Sequence, residues 1–194
     1  MGLIHRTVRL GVTVATLLLA SAAQANIVTN GGFESNNFTG WTQFGNTNFT
    51  GVDGTAPHSG SFAAFFGPTA NTGGSGGISQ TLATTNGATY NVQFYLQNEL
   101  AGTNSFVFEW DGGAVDTLVD SAFFGYTLFQ HSLLASSNTT EIRFTFLNEP
   151  SFWDLDDVLV EQSEVGPSLP EPATLALLGL ALAALGFSRR RNLR

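Results

Sequence analysis

Residues 90–97 read YNVQFYLQ, and that reading decides the fold. Tyr90, Val92, Phe94 and Leu96 alternate with Asn91, Gln93, Tyr95 and Gln97. Successive side chains of an extended chain point to opposite sides, so the stretch has one apolar and one polar face. A helix would scatter the same residues around its circumference. The period of two therefore predicts a strand with one buried side. Phe106, Phe108 and Trp110 repeat the pattern against Val107 and Glu109. Ile142, Phe144 and Phe146 repeat it against Arg143, Thr145 and Leu147. Further strands are predicted over 61–66, 77–82, 126–134 and 153–161. Turn-forming clusters lie between them at 71–77, Asn86-Gly87, Asp111-Gly112-Gly113 and 136–138. No stretch between residues 26 and 162 carries a sustained helical period. Many short strands at this spacing predict an all-β fold, a jelly-roll β-sandwich.

Outside this body the composition changes. Residues 1–25 have the form of a secretory signal peptide. Arg6 and Arg9 precede an apolar stretch from Leu10 to Ala20, and Ala23-Gln24-Ala25 is a small-x-small cleavage site. The expected organisation is a signal peptide (1–25), a β-sandwich domain (26–162), a short polar linker (163–169) and a C-terminal segment (170–194). Between Asn26 and Pro170 there are 14 acidic residues and one basic residue, Arg143. So acidic a body has no electrostatic means of gripping nucleic acid. It suits a soluble exported domain, or one that binds cations. The chain contains no cysteine, so disulfides play no part, and a large core or a structural metal must tie down its ends.

Residues 26–41 read NIVTNGGFESNNFTGW. This stretch resembles the opening of the galactose-binding-like jelly rolls, a fold of many carbohydrate-binding modules. Three more pieces resemble the same group in the same order: His58-Ser59-Gly60-Ser61-Phe62, Gly77-Ile78-Ser79-Gln80-Thr81-Leu82 followed by 90–96, and Trp153-Asp154-Leu155-Asp156-Asp157-Val158. The resemblance covers nearly the whole body. It implies a structural calcium joining the first and last strands, with Glu34 and Asp156 or Asp157 as carboxylate ligands and 58–60 as possible carbonyl donors. Calcium takes several oxygen ligands, and carboxylates brought together without a cation repel. If Val158 and Val160 face the core, Asp156 shares their side; a bulge would exchange it for Asp157.

No catalytic constellation stands out. His58 and Ser59 are adjacent in a loop, and a catalytic triad depends on geometry that neighbours in a loop do not supply. Glu99, Glu109, Asp111, Asp116 and Asp120 are carboxylates without a recognisable motif, and two body histidines without cysteine make no zinc site. The body therefore reads as non-enzymatic. Sugar rings stack on aromatics flanked by polar groups. Tyr95, Trp110, Tyr126 and Trp153 are the aromatic candidates. Tyr95 is preferred because it lies on the polar side of its strand with Gln93 and Gln97.

The C-terminal segment begins Pro170-Glu171-Pro172 and continues as an apolar run over 173–187. It ends in Arg189, Arg190, Arg191 and Arg194. As a helix the run spans about 22 Å, short of the roughly 30 Å hydrocarbon core. Arginine snorkelling and local thinning of the bilayer would let it insert as a marginal anchor, arginines on the cytoplasmic side. The two prolines hold the preceding step extended, in a form a membrane peptidase can take into its cleft. Together these pieces resemble the PEP-CTERM sorting signal of Gram-negative bacteria. The resemblance implies recognition by an exosortase, an integral-membrane cysteine transpeptidase-like enzyme. It also implies transient inner-membrane anchoring, removal of the tail, and delivery of the body to the cell surface or an extracellular polysaccharide or biofilm matrix. The residues that carry it are Pro170, Glu171, Pro172 and Arg189 to Arg191. The function expected is structural or adhesive, with carbohydrate binding in the body. A lectin-like module with a defined glycan is the second class, and a polysaccharide-acting enzyme the third.

Overall fold

The computed structural model describes residues 25–163. The expected signal peptide up to Gln24, Ala23 of its cleavage site, the sorting residues Pro170 to Pro172 and Arg189 to Arg191, and the 173–187 helix lie outside the described residues.

Ten strands follow in order: β1 (Thr42–Gly45), β2 (Thr50–Asp53), β3 (Ala63–Phe66), β4 (Gly76–Ala83), β5 (Thr89–Asn98), β6 (Thr103–Trp110), β7 (Gly113–Val119), β8 (Phe124–Leu134), β9 (Thr139–Glu149) and β10 (Trp153–Gln162). They form two five-stranded sheets, β1-β4-β9-β6-β7 and β2-β3-β10-β5-β8. All pairings are antiparallel. The all-β jelly-roll sandwich predicted from the sequence is the fold observed. A 3-10 turn at Ala70–Thr72 occupies part of the glycine-rich stretch, whose last two glycines enter β4.

The inner faces interdigitate through aromatic rings. Phe94 of β5 packs edge-on against Phe108 and Phe144 of the opposite sheet, with centroids 5.1 Å away in each case. Phe66 of β3 stacks on Phe146 of β9 at 3.9 Å. Such rings bury large apolar areas and supply most of the core's driving force. Tyr90, Val92, Phe94 and Leu96 are all buried, as their alternation requires.

Strands β1, β2 and β7 have no counterpart in the alternation pattern. Each is an edge strand, and none contains a run of buried positions. An edge strand with little to bury leaves almost no period-two signal.

β10 carries the irregularity that matters most. Trp153 and Leu155 point into the core, which turns Asp154 and Asp156 to the outer side. The register with β5 then shifts between Asp156 and Leu159, and Asp157 takes a left-handed backbone with φ of 50°. This bulge restores Val158 and Val160 to the core. Asp156 therefore does not share their side. It lies outward with Asp154, yet is fully buried because the 58–59 backbone covers it.

Candidate functional site

The outer face of the second sheet holds two neighbouring arrangements. One ties the chain together and the other is a cavity.

The first is a clasp between the 30–34 loop, the 58–62 loop and β10. Asp156 Oδ2 accepts hydrogen bonds from the backbone N–H of His58 (2.9 Å) and Ser59 (3.2 Å), and its Oδ1 accepts one from Asp157 N (2.7 Å). Asp157 Oδ1 accepts from the Ser59 hydroxyl at 2.7 Å, and its Oδ2 lies 2.7 Å from His58 Nδ1. Glu34 Oε1 accepts from Ser61 N and Phe62 N, and its Oε2 from Ser61 N. Gly60, at φ of 64°, lets the loop turn against Glu34: a Cβ there would stand 2.3 Å from Oε1. Gly31 lies so close to β10 that its Cβ would be 2.0 Å from the Val158 carbonyl oxygen. Burial, and then the charge of Asp157, push the Asp156 carboxyl up to about 6 against the pull of its backbone donors.

The structure thus brings together Glu34, Asp156 and Asp157. All six of their carboxylate oxygens already meet an N–H, O–H or imidazole partner. Among the described residues no group of three or more His, Asp or Glu side chains is arranged to hold a metal ion. These hydrogen bonds join the 30–34 loop, the 58–62 loop and β10.

Tyr95 lies on the outer face of β5, where its strand position puts it. His58 stacks on its ring at 3.5 Å, so one ring face is taken. Tyr126 approaches the same imidazole edge-on, and its hydroxyl donates to the Ala56 carbonyl at 2.7 Å. Burial, then the charges of Asp154, Asp156, Asp157 and Glu99, raise the Tyr126 phenol above its ordinary value. Trp153, a sugar-stacking candidate on sequence grounds, is fully buried and donates its indole N–H to the Leu147 carbonyl. Trp110 is in the core and bonds the Leu134 carbonyl.

The second arrangement lies beside the clasp, under the 54–56 part of the same loop. A cavity of about 270 Å³ is lined by Asp53, Thr55, Ala56, Ala63, Phe65, Glu99, Phe152 and Asp154. Strand parity explains the acids. Ala64 of β3 and Val52 of β2 face the core, so Phe65 and Asp53 face outward; Asp154 pairs with Phe65 across β3 and β10. Asp154 is only 3% exposed. Gln97 donates to its Oδ2 at 3.0 Å, and among the described residues no donor reaches its Oδ1. Burial, and then the neighbouring Glu99 charge, raise the Asp154 carboxyl to about 7. Ser151 donates to Glu99 at 3.0 Å.

Phe152 is shared with a second hollow of about 300 Å³, lined also by Phe49, Gly67, Thr69, Asn148, Glu149, Pro150 and Ser151. The ring of Phe49 is 60% exposed. Asn148 is buried, and its Oδ1 has no hydrogen-bond partner among the described residues.

Asp53, Asp154, Phe65 and Phe152 are not among the binding candidates of the sequence, where Glu99 is a carboxylate without a recognisable motif. The outward parity of Asp154 between Trp153 and Leu155 was the available signal. Of the other unassigned acids, Glu109 pairs with Arg143, and Asp116 lies 2.7 Å from His131 Nε2.

Residues 168–191 match the model of the PEP-CTERM protein-sorting motif. The chain carries a PEP-CTERM sorting signal. No curated protein matches the chain. Solved structures do. TmCBM61 in complex with β-1,4-galactotriose is 17% identical, with 72% of this chain and 99% of that one covered and a TM-score of 0.58. The CBM22-1 xylan-binding domain of Paenibacillus barcinonensis Xyn10C is 12% identical over 76% and 100%, at 0.51. A family 16 carbohydrate-binding module is 16% identical over 70% and 99%, at 0.51. The likeness at these identities is one of fold, and the PEP-CTERM chain shares its jelly roll with carbohydrate-binding modules.

Proposed function

We propose that the protein is an exported, non-catalytic component of the cell surface or extracellular polysaccharide matrix of a Gram-negative bacterium, and that its jelly-roll body binds a glycan. The C-terminal apolar segment holds it briefly at the inner membrane, and an exosortase removes the tail from about Pro170. The observation that carries this reading is the joining of a sorting motif at 168–191 to a sandwich whose outer face holds a cavity walled by aromatics and acids. A sugar ring offers apolar C–H faces to Phe65 and Phe152 and hydroxyl donors to Glu99 and Asp154, the mix that ligand pockets provide. The clasp serves the cavity by fixing the loop that supplies Thr55 and Ala56. Tyr95 belongs with the clasp in this reading.

Intact mass of the protein from its native host, with and without the exosortase, tests the sorting half. Loss of the segment from about Pro170 only when the enzyme is present is expected. A full-length chain in the membranes of both strains would leave a plain tail-anchored domain. Retention on host exopolysaccharide, weakened in Glu99→Gln, tests the binding half.

One observation favours a second reading, hydrolysis. A carboxyl raised to about 7 beside a second carboxylate resembles the acid–base division that glycosidases use. New reducing ends released from that polysaccharide, and lost in Asp154→Asn, would establish an enzyme; an intact polymer leaves a binding module.

A further inference from the structure

The charge of the cavity says more about the ligand than its shape does. Asp53, Glu99 and Asp154 line one hollow, and among the described residues no lysine or arginine does. The one basic residue between Asn26 and Pro170, Arg143, lies on the outer face of the other sheet beside Phe44. His58, the nearest body histidine in the chain, is engaged by Asp157 and Tyr95. Uncompensated carboxylates in a half-closed hollow favour whatever brings positive charge. The rise of the Asp154 carboxyl towards neutrality is the same demand met by a proton. Among the described residues these acids form no group of three or more side chains arranged to hold a metal ion. They are spread along an aromatic wall, and among the described residues no donor reaches the Oδ1 oxygen of nearly buried Asp154.

Resting on the glycan-binding reading, we infer that the groove selects a glycan bearing free amino groups. An amino sugar sits in the first compartment with its ammonium on Asp154 and Glu99, and the next sugar lies across Phe152 in the second. Three features support this occupant. An ammonium group donates up to three hydrogen bonds and neutralises the hollow, while its sugar ring covers the aromatic wall. Each hollow is near the lower end of ligand-pocket size, about 300 Å³, so each suits one ring and the pair suits a short chain. Exposed Phe49 gives the second ring a stacking surface. N-acetylation would remove the charge, and uronic acids would be repelled.

The test is calorimetric titration of the full chain in neutral detergent, at a pH held below the pKa of the probe's own amino groups as found by titrating the free probe. The probes are β-1,4-linked glucosamine trisaccharide, its fully N-acetylated form, β-1,4-galactotriose and spermidine. The glucosamine trisaccharide is expected to bind about 10- to 100-fold more tightly than its N-acetylated form, the worth of one charge-assisted hydrogen bond. That preference should vanish in Asp154→Asn and shrink in Glu99→Gln, with thermal unfolding confirming that both variants are folded. Equal binding of the amino and neutral sugars would overturn the amino-group inference and leave glycan binding standing. Binding of no sugar would overturn both. Spermidine matching the trisaccharide, or a preference surviving in Asp154→Asn, would also overturn the inference, the first by showing bare charge attraction and the second by removing the cavity from it.

Discussion

On the outer face of the first sheet, Arg143 Nε lies 3.3 Å from Glu109 and its guanidinium 3.6 Å from the ring centroid of Phe44, with Glu141 at 3.9 Å. On the outer face of the second sheet, Asp53, Glu99 and Asp154 line a hollow without any such cation. Both faces come from the same alternation of in and out along antiparallel strands. The first face uses its acids to hold a cation already in the chain, at positions open to water. The second keeps its acids uncompensated, one of them almost wholly buried. Burying a charge without a partner costs stability, and a carboxyl so placed in a hollow marks that hollow as a candidate site. The sandwich alone would not separate the two faces; their charge compensation does.

The largest effect should follow from breaking the second face. Asp154 has a folded value of about 7 against 3.8 for an ordinary aspartate. The folded state therefore binds its proton more tightly than the unfolded chain does. The sign follows: this group costs nothing below the unfolded value, and stability falls as pH rises from about 4 to about 7, then levels off. Asp154→Asn removes that loss while keeping an oxygen for Gln97. The variant should be about 2–4 kcal/mol more stable than the parent at pH 8, with the gap closing towards pH 4, as read by denaturant unfolding. A stabilised protein that no longer binds its glycan would mark Asp154 as kept for function. Equal stability at both pH values would show that the cavity carboxylate is well solvated and the contrast between the faces weaker than drawn.

Next in size is the clasp. Asp156→Ala strips the acceptors from the N–H groups of His58, Ser59 and Asp157. The expected cost is about 1–2 kcal/mol in unfolding free energy, because part-buried donors lose their acceptors while the desolvation cost of the carboxylate is relieved. The same clasp carries two rival proposals. The resemblance puts calcium at Glu34, Asp156 and Asp157; the hydrogen-bond pattern closes these acids without it. Melting in about 1 mM calcium and in chelator separates them, since an ion bound only by the folded state raises the melting temperature. The clasp predicts coincident melts. A rise that Glu34→Gln abolishes would establish the ion.

How much of this was legible beforehand depended on burial. Strands β5, β6 and β9 announce themselves because Tyr90 to Leu96, Phe106 to Trp110 and Ile142 to Phe146 each alternate fully buried with partly exposed side chains. Edge strands β1, β2 and β7 bury too little to leave a pattern. The meeting of Glu34 with the Asp156-Asp157 pair was readable from motif order. The bulge that turns Asp156 outward was not, since it depends on register against β5 rather than on local residue types. The cavity was least legible of all. Asp53, Glu99 and Asp154 come from three strands or strand ends far apart in the chain, joined only by the order β2-β3-β10-β5. No alternation within one strand encodes that order.

The smallest effect should come from breaking the first face. Arg143 and its partners are partly exposed, with side-chain exposures of 37% for Arg143, 25% for Glu109 and 44% for Glu141. Water and salt screen such pairs, which are worth about 0–1 kcal/mol, and an exposed cation over a ring adds about 0.5–1. Arg143→Ala should therefore destabilise by no more than about 1–2 kcal/mol, part of it lost at high salt, and leave glycan affinity unchanged. The unchanged affinity is the informative half. This substitution makes the body more acidic overall without altering the cavity. If glycan binding rose with it, the long-range field of the protein would be drawing the ligand in, and the local carboxylates would lose their special place. If affinity stays level while Asp154→Asn abolishes it, recognition belongs to the hollow and not to the net charge.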